Sequence, residues 1–376
     1  MLARATRQAG GLTDFGSCAF REPMDLLLRS LREEAQLTPQ GALMMERTVL
    51  RLLCNRLKVQ RDWTAHPEIQ RVDIPRPLFI LGLPRTGTTL LHGLLACDPS
   101  ARYLHFWEGL YPSPAPVDFE HDPRIRAVED WARGFHRLAP RLAAVHHLDP
   151  RGPEECLWLM EHTFIDLIFE LRAHVPSYSA WLAQRESDTA SYQYFRRMVQ
   201  LLGWKRNGCH WVFKAPRHLF GLAGLLAIFP EARIVQTHRD PVEVLPSLCS
   251  LCEVLRGAAS ERVDKTALGA HWRDRLMRVL KNARRVRESA PPGQFLDIHY
   301  RDLLRDPIGA VARIYAHHGY EFTQKFQQRM EAWRKSNRQH RHGPHDYSPE
   351  EFGLNARSLR EDFADDASFH GAAGMD

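Results

Sequence analysis

The sequence predicts an α/β fold: a central parallel sheet with helices on both faces, preceded by an N-terminal helical arm. Two observations carry this. Short apolar runs at 77–81, 211–213, 232–237 and 294–299 alternate with longer segments of helical periodicity, the pattern of strands joined by helical crossovers. The stretch PLFILGLPRTGTTLLHGLLACDP, residues 77–99, passes from an apolar run through a Gly-bearing turn directly into a helix.

The elements follow in order. Residues 22–60 read as two helices. In EPMDLLLRSLREEAQ, Met24, Leu27, Leu28 and Leu31 fall at helical spacing. Thr38-Pro39 opens the second, with Pro at the first helical position, and Leu43, Val49, Leu50, Leu53 and Leu57 form its apolar face. The strand at 77–81 leads into a helix at 87–96. Residues 110–150 hold many Pro, His and Arg with little periodicity, and read as a long segment that shapes a substrate site. Helical patterns at 154–171, 188–202, 218–228, 241–255, 265–288 and 307–317 surround the remaining strands. From 334 the chain is polar and irregular. The expected regions are an N-terminal arm over 1–70, a core over 71–330 and a tail over 331–376 that closes the site.

Composition narrows the function. The chain has 376 residues, 44% of them hydrophobic, enough for a sizeable core. Lys and Arg number 51 against 45 Asp and Glu. That modest surplus suits an anionic small molecule, and no compact basic run argues for nucleic acid. Seven scattered cysteines are an odd number and do not read as a disulfide framework. The lone CxxC of Cys249 and Cys252 reads as two small buried residues on a helix rather than a zinc or redox site. No apolar run approaches the roughly 18 residues of a membrane span, and MLARATRQAGG lacks the apolar stretch of a secretory signal. A cytoplasmic protein is expected.

In LGLPRTGTTLL the helix begins near Gly87. Its first amides, about Thr86 to Thr89, have no acceptor within the helix. An anion placed there meets several N–H donors and the positive end of the helix dipole, and the hydroxyls of Thr88 and Thr89 add donors. Gly82 and Gly87 keep the spacing of a Walker A loop, with Thr89 at the magnesium-binding hydroxyl, but Thr88 replaces the lysine. The nearest cation, Arg85, precedes the glycine. Loss of the lysine clamp disfavours an NTPase.

These residues resemble a known family. LPRTGTTLL is similar to the 5′-phosphosulfate loop of sulfotransferases that use 3′-phosphoadenosine 5′-phosphosulfate (PAPS). ARIVQTHRDPVEVLPSLCSL resembles the segment in which an Arg at a strand end and a Ser eight residues later hold the 3′-phosphate, here Arg239 and Ser247. DIHYRDLLRDP resembles the family's strand end that sets a Tyr, here Tyr300, beside the adenine. WVFKAPRHL is similar to the strand end of the bacterial, tyrosylprotein-type branch. Together these cover roughly residues 77–320, and the segments DFGSCAFREPMDLLLRSL and HDYSPEEFGL resemble the bacterial branch less specifically. The resemblance implies a single-domain, P-loop-like sulfotransferase fold, PAPS as co-substrate and no metal. The C-terminal R-K-G-x-x-G of the cytosolic mammalian branch is absent. RQHRHGPH, residues 338–345 with Arg341, is the nearest basic stretch.

Sulfuryl transfer, like phosphoryl transfer, rests on positioning and electrostatics. Arg85, Thr86, Gly87, Thr88 and Thr89 are the candidates for the 5′-phosphosulfate, with Arg85 also neutralising the leaving group. Lys214, at the end of the WVF strand, is the candidate for the bridging oxygen. The resemblance makes Glu108, in HFWEGL, the first candidate for the base, ahead of His218 and His147. Asp240 reads as a helix cap. The expected reaction moves a sulfuryl group from PAPS to a hydroxyl or amine of a small-molecule acceptor. The alternatives are a P-loop-type nucleotide kinase or NTPase without the usual lysine, and a protein that binds nucleotide without catalysis. No membrane span is expected, and the sequence leaves the acceptor and a homodimer open.

Overall fold

Five short strands form one parallel sheet in the order β2-β3-β1-β4-β5: β1 Leu78–Gly82, β2 Ala101–Tyr103, β3 His210–Lys214, β4 Arg233–His238 and β5 Phe295–His299. These come from a computed structural model, which describes residues 1–115, 118–138, 149–185, 187–206, 210–337 and 348–364. The three central strands are apolar runs because a parallel sheet is covered on both faces: β1 and β3 are buried throughout, and β4 is buried beyond Arg233. β2 has three residues, too few for periodicity to reveal, and it was not expected.

The chain forms two compact units. The second, Pro75–Tyr103, Gly208–Glu253 and Asp264–Asp376, contains the whole sheet. On one face Leu78 and Ile80 of β1, Val212, Val235 and Ile298 pack against Leu91, Leu94 and Leu95 of the helix Thr88–Leu95 and against Val311 and Ile314 of the helix Pro307–His318. On the other, Phe79 lies 4.9 Å from Phe213 and 5.4 Å from Phe229, ring centre to ring centre. Alternation along β1 thus feeds both cores. The expected helix over 218–228 is two, Arg217–Phe220 and Leu222–Ile228, interrupted at Gly221. The tail is less irregular than expected. Its helix Ala356–Asp362 is capped by Asn355, and Arg273 donates to Asp362 at 2.5 and 2.6 Å.

The first unit comprises Met1–Ile74, Leu104–Asn207 and Val254–Val263. The helix Arg21–Glu33 buries Met24, Leu27 and Leu31. The helix Pro39–Ala65 starts where Thr38 accepts from the Gly41 amide at 3.0 Å, a side-chain cap followed by Pro at the first position. Leu43, expected on its apolar face, is exposed, and Met45 is buried there. The helix expected over 154–171 is broken into Leu157–Met160, a 3-10 turn Glu161–Thr163 and Ile168–Arg172. Phe164, in the left-handed region at φ 58°, stops it. Glu161, fully buried, is held by Arg51 at 2.5 Å and Arg172 at 3.1 Å. Residues 110–150 include an unexpected helix, Pro123–Leu138, on which Trp131 and Phe135 stack.

Phe79→Ala would empty a ring position shared by three aromatic neighbours. It should lower stability by about 3–5 kcal/mol, measured by urea unfolding. A loss under about 1 kcal/mol would show that this face is not a packed core.

Candidate active site

β1 is the switch point of the sheet: β3 pairs on one side of it and β4 on the other. Ligands of open α/β sheets gather outside such carboxyl ends. Arg85 to Thr89, Lys214, Arg239 and Tyr300 all follow the carboxyl ends of β1, β3, β4 and β5.

The loop is shaped by two residues of positive φ. Arg85 has φ 71°, where a residue other than glycine is uncommon and strain of about 1–3 kcal/mol is held by its surroundings. Gly87 has φ 87° and is the N-cap of the helix Thr88–Leu95. A Cβ on Gly87 would lie 2.8 Å from the Tyr300 ring, so glycine serves both the turn and the approach of Tyr300. No side chain caps this helix, and its first amides keep their capacity for an outside acceptor. Thr86 does not turn its hydroxyl outward: it is fully buried, donates to the Leu83 carbonyl at 2.7 Å and shares a 2.6 Å hydrogen bond with Thr237. Thr88 is buried and Thr89 exposed.

Four further predicted residues join the loop. Lys214 is 2% exposed and donates to the Thr89 hydroxyl at 3.2 Å. The Arg85 Nε donates to the Ser247 hydroxyl at 3.0 Å. Arg239 donates to the Arg85 carbonyl at 3.0 Å and to Glu243 at 2.7 and 2.8 Å. Its guanidinium lies 4.4 Å from the Tyr300 ring centre, a stacking contact that Arg makes well. Arg85, Arg239, Ser247, Lys214 and Tyr300 therefore form one cluster with the loop. Asp240 caps the next helix, accepting from the Val242 amide at 2.9 Å.

Of the three candidate bases, two lie among the described residues. His218 is fully buried, edge-on to Phe79 at 5.0 Å. Burial first, then neighbouring Arg217, lowers its pKa to about 3, so the imidazole is neutral at physiological pH. Glu108 belongs to the first unit, fully buried in the short helix Phe106–Leu110. Its carboxylate closes a capping box, accepting from the His105 amide at 3.1 Å. His147 and the basic stretch 338–345 with Arg341 lie outside the described residues. Cys249 and Cys252 are buried on the helix Pro241–Gly257.

Sequence reasoning missed the brace beneath Arg239. His238, one residue before it, pairs with Asp297 of β5 at 2.6 Å. Arg287 donates to both Asp297 oxygens at 2.8 Å and to Gln236 at 2.8 Å. Burial pushes the Asp297 carboxyl up, but the bonds from His238 and Arg287 outweigh it and hold it well below the usual carboxylate range. The signal was polar residues at alternate positions of strand ends: Gln236 and His238, Asp297 and His299.

A model of the sulfotransferase family matches residues 77–324. The sulfotransferase STF1 from Mycobacterium tuberculosis H37Rv has a crystal structure that superposes with a TM-score of 0.86 at 36% identity, over 96% of each chain. STF9 from Mycobacterium avium superposes with a TM-score of 0.89 at 28% identity, over 97% of this chain and 94% of that one. The omega-hydroxy-beta-dihydromenaquinone-9 sulfotransferase Stf3 of Mycobacterium bovis is 29% identical over 253 residues, 65% of this chain and 62% of its own length.

Gly87→Ala should cost about 1–2 kcal/mol from φ alone and displace Tyr300. Thermal melts measure the first, and a crystal structure of the variant the second. An unmoved ring would refute the tight approach. Asp297→Asn should lower stability by about 1 kcal/mol at neutral pH, a figure kept small because this side chain is 43% exposed. A depressed folded pKa stabilises above the unfolded value near 3.9 and loses that contribution as pH falls. The gap between variant and wild type in urea melts should therefore close below about pH 4. A gap constant with pH would contradict the ionised pair.

Proposed function

The chain belongs to the sulfotransferase family, and from that premise we propose that it moves a sulfuryl group from PAPS to a hydroxyl or amine of a small-molecule acceptor. The observation that carries this reading is the uncapped helix start at Gly87 with a buried lysine, Lys214, hydrogen-bonded to Thr89 of the same loop. A buried cation beside free amide donors suits a doubly charged anion. The name of Stf3 describes action on a hydroxylated menaquinone, which favours a hydroxyl as the acceptor class here.

When bound, PAPS supplies the sulfuryl group and a nucleotide phosphate as its leaving group. The Thr86–Thr89 amides hold the 5′ end, with the dipole of the helix behind them. Arg85, already strained into position, neutralises the leaving group. Lys214 stabilises charge growing on the bridging oxygen. Arg239 and Ser247 grip the 3′-phosphate, Arg239 exchanging Glu243 for it, and Tyr300 lies against the adenine. Glu108, buried beside Trp107, is the proposed base that takes the acceptor's proton. His218 is less suited, since it packs within the core. A tail segment about 338–345 is proposed to close over the 3′-phosphate.

Calorimetry should find micromolar binding of PAP, the desulfated product, independent of Mg²⁺. Mass spectrometry of acceptor mixtures incubated with PAPS should find a product heavier by one SO₃ unit. Arg85→Ala and Lys214→Ala should each lower kcat/KM by about 100-fold or more, and Arg239→Ala should weaken PAP by about tenfold or more. Tight ATP–Mg binding with no PAP binding would overturn the proposal. Full activity of Glu108→Gln would remove Glu108 as the base.

A further inference from the structure

We propose that the first unit contains an anion site of its own: a cavity that takes a small oxyanion, inorganic sulfate or phosphate or the carboxylate end of an organic ligand. The cavity measures about 100 Å³, and its lining includes Ser17, Arg56, Thr163, Ser191, Tyr194 and Arg197. A single water needs roughly 10–15 Å³ of such space, so a small oxyanion fits. Exposed Ala19 and Gln193 on its lining provide a way in from solvent.

The charge at this cavity is unbalanced. Arg56 is 2% exposed. Its guanidinium lies between the rings of Phe20 and Tyr194, 4.1 and 4.3 Å from their centres. It donates to the carbonyls of His162, Phe15 and Ser17 at 3.0, 3.2 and 3.1 Å. All three acceptors are neutral, and among the described residues no carboxylate pairs with it. Arg197, over the Trp63 ring at 4.3 Å, donates to the Gln60 amide oxygen at 3.1 Å and likewise pairs with no acid among the described residues. The adjacent Asp188 is spent on the Ser191 amide, 2.9 Å away, as the cap of the helix Thr189–Gly203. The same unit shows the usual arrangement elsewhere, where Arg51 and Arg172 share Glu161. A buried cation without a counter-charge is costly, and a bound anion removes that cost.

The hydrogen bonds are unbalanced in the same place. The Nε atoms of Arg56 and Arg197, the Tyr194 hydroxyl and the Ser191 hydroxyl are buried with no partner among the described residues. Native proteins leave few such atoms, and each calls for a ligand, water or ion. Four on residues of one cavity, all able to donate, describe an acceptor that carries several oxygens. Burial raises the Tyr194 hydroxyl above its ordinary range, against the pull of Arg56 and Arg197, and so keeps its proton available for donation.

The test uses the full chain and leaves Arg56 unchanged, because it ties three carbonyls together. Crystals grown without sulfate or phosphate are soaked in selenate, which should give an anomalous peak in the cavity. In parallel, sulfate, phosphate and acetate are titrated at constant ionic strength and thermal stabilisation is recorded. The cavity's share should survive in Arg85→Ala, which removes an anion contact of the β1 loop. It should weaken by about tenfold or more in Arg197→Gln/Tyr194→Phe, the effect of losing charge-assisted donors. The melting temperature of that double variant without anion shows whether it is folded, and Arg197→Lys, which retains charge, should recover part of the affinity. Stronger response to sulfate and phosphate assigns the site to free inorganic anion, and stronger response to acetate to a carboxylate. No peak in the cavity, or ordered water alone, would overturn the proposal. So would a peak whose titration ignores both substitutions, which would mark an adventitious ion only.

Discussion

A helix that begins on a glycine, with no side chain to cap it, must find acceptors for its first amides outside the polypeptide or leave them to solvent. The helix Thr88–Leu95 is in that position, because Gly87 at φ 87° has no side chain to offer the amides before Leu91. The rest of the site is arranged around this need. β1 lies between two later strands, so three neighbouring strand ends deliver Arg85, Lys214 and Arg239 close to one loop. Each brings positive charge to where the helix dipole already favours an anion.

Keeping such cations ordered is a separate problem, since like charges repel and buried ones lose water. Some of the contacts that hold them are to neutral or exchangeable groups. Lys214 donates to a threonine hydroxyl, Arg85 to a serine hydroxyl, and Arg239 to a carbonyl and to Glu243 in the helix that follows it. None of these partners would resist an incoming phosphate as a buried, bidentate carboxylate would. The bidentate carboxylate is used one step away, where Asp297 locks His238 and Arg287. Rigid pairing thus supports the strand end from which Arg239 follows.

The first unit draws the same distinction with larger buried charges. Glu161 is surrounded by Arg51 and Arg172, and the closed cluster breaks what periodicity alone describes as one long helix. Arg56 is buried as deeply but is held by carbonyls and ring faces. In the first arrangement a carboxylate lies between two guanidiniums, and in the second no carboxylate among the described residues faces Arg56.

Much of the fold was legible because the governing interactions are local. Apolar runs mark β1, β3 and β4, since strands covered on both faces are mostly apolar and keep their polar residues near their ends, and the Gly87 turn and the Asp240 cap are set by residues within a few positions. The loop's affinity for an anion was legible for the same reason: backbone amides at a helix start follow from chain geometry. What escaped were features that depend on distant partners. β2 is too short to carry a pattern, Leu43 is exposed where helical spacing suggests burial, and the helix over 154–171 is broken around a glutamate whose arginine partner is 110 positions away. The Arg85–Ser247 bond spans 162 positions and the His238–Asp297 bond 59. By itself the sequence determined four of the five strands, the uncapped loop and the kinds of side chain at their ends, because these follow from spacing along the chain. Only the tertiary structure decided which cation rests on which hydroxyl, that His218 is sealed beside Phe79, and that no acid among the described residues pairs with Arg56, because those outcomes depend on distances between residues that no local pattern encodes.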